Sequence, residues 1–560
     1  MKKVISLILA LLMLLSVLAA CGSAPVSDNS TANHPDGDAD SAAPNTDKSP
    51  AVTEEPTSAE PVTISLPIAD EVTSYSFWVP NFIDSATPYN DPNEFPIWQA
   101  LEEKTNIHIN WELGAVSNAA EQFSLMLTSQ DYTDLFAGVG EFLVGGIDYS
   151  IEEDIIVDLA DLVPQHMPNY YELLCADEYS RKCSYTDTGK LGGLHPISDS
   201  REPCWYGWVV RQDMLDAIGF EGAMETIDDW DTVLAGLKEA GLGYLYLGAT
   251  TGQSDLLMSA YNVSSSFLQK DGTVFYGPTD PGYHDYLAKL VEWTQAGYID
   301  PDNAGRTTGW YTDFPLLVSG EAAIMPTLYT MFDLISAMGA DVPDFKLTHV
   351  DVPKLHAGDK QRVGNFAINL TTLGGSITCV STACKDIPTI LHWFDWFCTE
   401  EGTMLTNYGI EGESYDLVDG EPVWTAYISN NPDGYTKAQM QGLYQVHSYI
   451  VQHYDFTRAG SGLSDAAMEY QNIWASDFDY DNFYTLPGQN ALSLTAEESE
   501  DIGSRESDIS TYVEEYTALV VAGQKDLEST WDAYVANVEA MGVQECIDIY
   551  QAAYDRFLAR

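Results

Sequence analysis

Apolar and polar positions alternate along this chain in two periods, and the switches between them predict where helices and strands lie. From Pro96 to Asn106 the residues Ile97, Trp98 and Leu101 share one face at helical spacing. Ile107-His108-Ile109-Asn110-Trp111 then alternates with period two, which predicts a strand. Asn118, with Glu121 three residues on, predicts an N-cap and a helix through Leu127. Leu135-Phe136-Ala137 predicts a short apolar strand. Helix, strand, helix and strand in this order predict a mostly parallel sheet covered by helices.

The same style continues downstream. Thr226 predicts a cap, with Asp228 and Asp229 in a first turn where the helix dipole favours acids. Trp230, Val233, Leu234 and Leu237 form that helix's apolar stripe, and Gly241 closes it. Tyr286, Leu287, Leu290 and Val291 form another stripe, ended by Gly297. Thr389 to Cys398 reads as an aromatic-rich helix after Pro388. Asp419-Gly420, between Tyr415–Val418 and Pro422–Trp424, is a hairpin turn signal. From Asp508 onward the chain reads as mainly helical, with Trp531, Tyr534, Val535 and Val538 on one face. There is no internal repeat.

The N-terminus changes the picture from fold to location. Lys2 and Lys3 precede an apolar run from Val4 to Ala20, interrupted by Ser6 and Ser16. The run is shorter than the roughly 20 residues that a bilayer span needs. A basic flank, an apolar stretch and small residues before a break describe an export signal over 1–20. Leu18-Ala19-Ala20-Cys21 is similar to a bacterial lipobox, which implies lipidation of Cys21. Residues 22–61 hold six Pro, eight acids and one Lys, with no aromatic residue and no Leu, Ile or Met. Such a stretch cannot bury enough apolar surface to fold. Residues 21–61 therefore read as a lipidated tether, with a reach of roughly 35 Å for such a length, and the folded body starts near Val62. The protein is expected on the outer face of a bacterial membrane.

Composition removes several functions. The 560 residues carry 85 acids against 24 Lys and Arg, a net charge of −61. That balance argues against nucleic acid, which needs a basic footprint, and against docking on anionic lipid through a basic face. It also disfavours polyanionic ligands. The length fits two or three domains. Thirteen Trp, 33 Tyr and 19 Phe can serve a core or a site that stacks rings on a ligand. Besides Cys21 there are Cys175, Cys183, Cys204, Cys379, Cys384, Cys398 and Cys546, an odd number that leaves at least one free thiol. Whether Cys379 and Cys384 pair is left open by the sequence. With no CxxC pair and no His-rich cluster, no zinc site is expected.

Catalytic signatures are absent: there is no HExxH, GxxxxGK[ST] or GxSxG. Asp477, Asp479 and Asp481 imitate half of a calcium loop, but the sixth position is Asn482 and the twelfth is Gly488. His447 and His453 are six apart, a poor spacing for two ligands on one helix face. No metal and no cofactor are expected. A glycosidase needs two carboxylates at a fixed separation, which sequence cannot display among so many acids, so that alternative stays open.

Several blocks, in order, resemble the extracellular solute-binding lipoproteins of bacterial ABC importers, of the large sugar-binding type. They are Phe95-Pro96-Ile97-Trp98-Gln99-Ala100-Leu101-Glu102-Glu103-Lys104-Thr105-Asn106-Ile107 with Asn110-Trp111, Asp131-Tyr132-Thr133-Asp134-Leu135-Phe136, and Gly189-Lys190-Leu191-Gly192-Gly193-Leu194 with Val210-Arg211-Gln212-Asp213-Met214-Leu215. Thr226-Ile227-Asp228-Asp229-Trp230, Gly320-Glu321-Ala322-Ala323-Ile324-Met325, Asn407-Tyr408-Gly409-Ile410-Glu411-Gly412 and, more loosely, Ile549 to Phe557 continue the series. Some members carry a calcium loop just before the glycine-lysine block. Here that stretch, Tyr185 to Lys190, has one acid, so the metal is not carried over.

The resemblance implies an α/β, two-lobed fold of the periplasmic-binding-protein type (type II), with ligand between the lobes and a helical C-terminal extension. It places lobe 1 at 62–203 and 351–385 and lobe 2 at 204–350 and 386–560. Crossings fall near Pro203, Val350 to Lys354 and Ala383 to Asp386. It implies a monomer, not an enzyme, that hands a small solute to the permease subunits of an ABC transporter. An oligosaccharide, neutral or weakly charged, is the first expectation; a peptide or a lipid-derived solute is the alternative, as are a secreted glycosidase and a cell-wall adhesin. The expected ligand contacts are Trp205, Tyr206 and Trp208 at the first crossing, with alternation allowing only one face to meet ligand. Arg306, Trp310 and Tyr311 lie in or after a glycine-flanked loop, Trp78 and Asn81 at the end of the first strand, and Tyr408 and Glu413 beside the Gly-Ile-Glu-Gly block.

Overall fold

The computed structural model describes residues 63–84, 87–198, 204–248, 255–303, 306, 313–363, 376–461 and 463–560. The strands are β1 Thr73–Pro80, β2 Ile107–Gly114, β3 Leu135–Ala137, β4 Tyr206–Arg211, β5 Tyr244–Leu245, β6 Phe267–Lys270, β7 Thr273–Tyr276, β8 Ala322–Leu328, β9 Leu347–Val350, β10 Thr378–Val380, β11 Tyr415–Val418 and β12 Glu421–Trp424. They form two four-stranded sheets and two hairpins. The first sheet has the order β10-β3-β1-β2, with β1 parallel to β2 and β3, and β10 antiparallel to β3. The second has the order β5-β8-β4-β9; β4 is antiparallel to both neighbours and only β5–β8 is parallel. The expected mostly parallel sheet therefore describes the first lobe and not the second.

Local signals place the elements well. The helix Ile227–Ala240 opens on a reciprocal capping box: Asp229 N–H donates to Thr226 Oγ1 at 3.2 Å, and Thr226 N–H donates to Asp229 Oδ2 at 2.8 Å. It ends on Gly241 at φ +68°, a left-handed position that glycine tolerates. Asn118 does precede the helix Ala119–Ser129, but its side chain makes no capping bond because a 3₁₀ turn, Val116–Asn118, leads in. The β11–β12 turn has Asp419 at φ +55° and Gly420 at φ +93°, the two left-handed residues of a type I′ turn.

Two large cores gather the apolar side chains. The first contains Phe77, Trp98, Ile107 and Ile109, joined by Trp393, Phe394, Tyr444 and Ile450. So residues within 387–451, expected in lobe 2, share a core with the strands of the first sheet. The helix Ile387–Trp396 is apolar on most sides and buries Ile390, Leu391, Trp393, Phe394 and Trp396. Such a helix must be enclosed, and the Phe394 ring lies 6.4 Å from that of Phe77. The second core contains Trp208, Trp230, Trp293 and Ile324, with Val513, Tyr534, Tyr550 and Phe557 from the C-terminal helices. Val352, expected in lobe 1, joins this second core, and Gln361 N–H bonds to Asp477 O. Core membership changes between Ile197 and Tyr206, between Val352 and Val380, and between Val451 and Ala491. No described helix is long and apolar enough to cross a membrane.

Asp395 explains part of the first core. Its carboxylate, 0% exposed, accepts from Tyr170 N–H at 2.9 Å and Asn169 Nδ2 at 2.7 Å. Burial outweighs these bonds and pushes its pKa up to about 6. Unfolded, the group titrates near ~3.9. Between these values the folded state holds a proton the unfolded state has lost, so stability falls as pH rises from about 4 to about 6. Two units correspond to about 3 kcal/mol. Asp395→Asn removes this component. Urea denaturation should show the stability of the variant relative to the parent rising by about 3 kcal/mol from pH 4 to pH 6.5; a flat difference would contradict the assignment.

Candidate functional site

The stretches up to Ser198 and from Gln452 run side by side. Ile197 and His453 form a parallel bridge, Ile197 N–H bonds to Gln452 O at 3.0 Å, and Tyr454 N–H bonds to Ile197 O at 2.7 Å. Beside them sits Trp205, half-buried, packed against Tyr454 and Phe456. Its ring centroid is 5.5 Å from that of Tyr329 at the end of β8, and Tyr329 N–H donates to Trp205 O. Trp205 thus touches both the crossing segment and the second lobe.

A buried polar network fixes the crossing segment to the first lobe. Asn407 is 0% exposed. Its Nδ2 donates to Thr403 O and His453 O at 2.8 Å each, and its Oδ1 accepts from Asp455 N–H and Arg458 Nη1 at 3.0 Å each. The Arg458 guanidinium lies 3.8 Å from the Tyr454 ring centroid and makes no ion pair among the described residues. Tyr408 donates its hydroxyl to Asp455 Oδ2 at 2.6 Å, and burial pushes its pKa up. On the other side, Lys437 Nζ donates to Ser461 O while Asp333 accepts from Ser464 N–H and Oγ, so the chain between Ser461 and Ser464 is tied to both lobes. Burial lowers the Lys437 ammonium to about 8.

Each expected contact has a definite place. Asn81 sits, half-buried, at the C-terminal end of β1, accepting from Ile83 N–H at 2.9 Å. Trp78 points instead into the core, 4.9 Å from the Phe123 ring, with its own ring 2.5 Å from where a Cβ on Gly114 would stand. Trp208, 0% exposed, packs on Trp230 at 5.2 Å and offers no face to a ligand. Tyr206 is buried in the same core. Alternation along β4 had left open which face was core; both residues belong to it, and Trp205 precedes the strand. Tyr408 is a buried anchor of the network, its ring tilted against Trp424 at 5.4 Å. Glu413 is exposed, with its carboxylate accepting from Tyr444 at 2.5 Å. Arg306 is occupied by Asp300 at 2.5 Å. Trp310, Tyr311 and Cys21 lie outside the described residues.

Phe82 and Tyr449 are two further rings beside this strand end. Phe82 stacks 5.3 Å from His447, which stands 4.3 Å from Tyr449. The Tyr449 ring comes within 2.9 Å of the Cβ position of Gly138, whose φ of +68° ends β3. These rings flank Asn81 at the strand ends where open α/β sheets take ligands. Burial, with Arg458 adding, depresses His447 to about 4, so this imidazole is neutral at physiological pH. The run of aromatics from Tyr449 through Tyr454 to Phe456 was the available signal.

The loop before the glycine-lysine block is held by guanidinium groups. Asp187, its one acid, accepts from Arg556 Nε at 2.6 Å and Arg560 Nε at 2.8 Å, while Arg560 Nη1 donates to Lys182 O and Tyr185 O. Downstream, Asp477 pairs with Lys354 at 2.9 Å and Asp479 with Arg362 at 3.1 Å. Among the described residues no three His, Cys, Asp or Glu are grouped to hold a metal. The seven cysteines of the described residues are free thiols, Cys379 and Cys384 included.

No family model matches the chain. Lipoprotein LipO of Bacillus subtilis (strain 168) is 22% identical over 361 residues, 62% of this chain and 68% of LipO. The fructooligosaccharide ABC transporter substrate-binding protein FusA of Streptococcus pneumoniae serotype 4 is 20% identical over 514 residues, 85% of this chain and 90% of FusA. The solved extracellular solute-binding protein of Bifidobacterium longum subsp. infantis superposes with a TM-score of 0.70 at 14% identity, over 87% of this chain and 99% of that one. The chain therefore has the two-lobed α/β fold of solute-binding proteins, as the sequence blocks implied.

Proposed function

We propose, from this fold and these relatives, that the chain is an extracellular solute-binding protein that captures an oligosaccharide between its lobes and delivers it to an ABC permease. The observation that carries the reading is the relation to FusA, which runs over 85% of this chain. LipO, named a lipoprotein, supports anchoring through Cys21 on the outer face of the membrane. Mass spectrometry of chain extracted from membranes tests that part: a lipid on Cys21 is expected, and an unmodified thiol there contradicts it.

In this reading lobe 1 is built from about 63–198 and 376–451 and lobe 2 from about 204–363 and 464–560, the partition that the two cores support. Trp205 supplies an apolar ring face for sugar C–H groups, and Asn81 supplies planar hydrogen-bonding groups at the first lobe's lip. The protein binds without turnover, in line with FusA, which is named a substrate-binding protein. A thermal-shift screen over oligosaccharides, with peptides as controls, tests the ligand class. A ligand at 100 times its Kd stabilises by about 2.7 kcal/mol. Trp205→Ala should weaken the best ligand by about 5- to 150-fold, the worth of one stacking face. An unchanged Kd removes Trp205 from the site. A peptide as the best binder, or a sugar returned cleaved, contradicts the function.

A further inference from the structure

Away from the lobe crossing, the second lobe holds a cavity of about 1030 Å³ that sugar capture does not use. It opens between the helices Pro281–Ala296 and Ala496–Val521. Its volume is that of a small-molecule site. Tyr276, Tyr283 and Tyr286 line it together with apolar side chains, and all three are buried. From the 496–521 helix, Glu506 and Glu514 line the same space.

The charge of this cavity is unbalanced. The Glu506 carboxylate accepts from the Tyr550 hydroxyl at 3.2 Å, and neither Glu506 nor Glu514 pairs with a cation among the described residues. Burial pushes the Glu506 pKa up, the mark of a carboxylate short of a counterion. Lys238 also lines the cavity, but its ammonium sits 5.8 Å from the Tyr244 ring centroid. A carboxylate in an apolar cavity is stabilised by a cation brought to it. Tyrosine faces attract that same cation, while the apolar wall takes its hydrocarbon body.

The geometry points to a second binding site here, for an organic ammonium compound with an apolar body, held by Glu506 and the tyrosine rings. It is distinct from the sugar site and stands without it. Calorimetry on the full chain tests it with 2-phenylethylammonium, neutral 2-phenylethanol and anionic 3-phenylpropanoate. The ammonium probe should bind saturably at one site, and the other two about tenfold or more weakly. Glu506→Gln keeps the shape and the Tyr550 bond but removes the charge, and should weaken the ammonium probe about tenfold. Ser510→Phe, on the exposed side of the cavity wall, should block it; circular dichroism checks both folds. Equal binding of the alcohol, an unchanged affinity in folded Glu506→Gln, no saturable binding by the parent up to about 10 mM, or competition by a sugar that closes the lobes would each overturn the proposal.

Discussion

Gly207→Ala should cost about 3–5 kcal/mol, near the limit for one substitution. Gly207 lies in β4, the strand paired on both sides in the second sheet. A Cβ there would stand 1.9 Å from the indole carbon Cε2 of Trp474, well inside any real contact. Trp474 cannot give way easily. It is 0% exposed, its Nε1 donates to Val350 O at 3.1 Å, and it belongs to the helix Asp465–Ser476. Adding one methyl therefore moves a whole helix off the sheet. Urea denaturation should show a lower midpoint with an unchanged slope. Trp474→Leu in the same chain should recover part of the loss, because two residues in contact are not additive. A change below about 0.5 kcal/mol, the ordinary scatter of surface substitutions, would contradict the packing.

Asn407→Ala should cost about as much by a different route. Five hydrogen bonds converge on the Asn407 amide, one of them from the buried Arg458 guanidinium. Truncation leaves a charge, an N–H and two carbonyls without that partner in a dry place. A hydrogen bond to a charged group is worth about 1.5–3 kcal/mol, and each orphaned neutral group costs about 1–3 kcal/mol where water cannot reach it. The network also fixes 453–458 beside Trp205, so the surviving folded protein should bind its sugar more weakly. Asn407→Asp makes a sharper comparison: it offers Arg458 a carboxylate but turns acceptors toward Thr403 O and His453 O. It too should destabilise. If both variants melt with the parent, the crossing segment is held by something other than this amide.

The local elements were legible because their signals are local. Thr226 and Asp229 cap a helix through atoms three residues apart, and Asp419-Gly420 closes a hairpin by its own backbone angles. The two cores were harder, because nothing in the 387–396 stripe says which of two apolar cores will enclose it; Asp395 meeting Tyr170 and Asn169 is a contact across 225 residues. The second sheet hid for the same reason: β4 pairs with β8 and β9, strands over a hundred residues downstream, and antiparallel pairing at that range leaves no periodicity. Trp205 and Asn81 stand half-buried where position suggested, one beside Tyr454 and one at the end of β1. Trp78 and Trp208 show the limit of that reasoning, since an aromatic ring suits a core as well as a sugar. Phe82 and Tyr449 needed the fold, which brings 447–449 back to the end of β1.

The central claim is that two lobes close on an oligosaccharide. Small-angle X-ray scattering on the full chain, with and without a saturating amount of the tightest sugar from the screen, tests it most directly. A smaller radius of gyration is expected with ligand, reached at one sugar per chain, with the sugar recovered intact. Scattering that is unchanged at saturation, or a sugar returned as cleavage products, would contradict it.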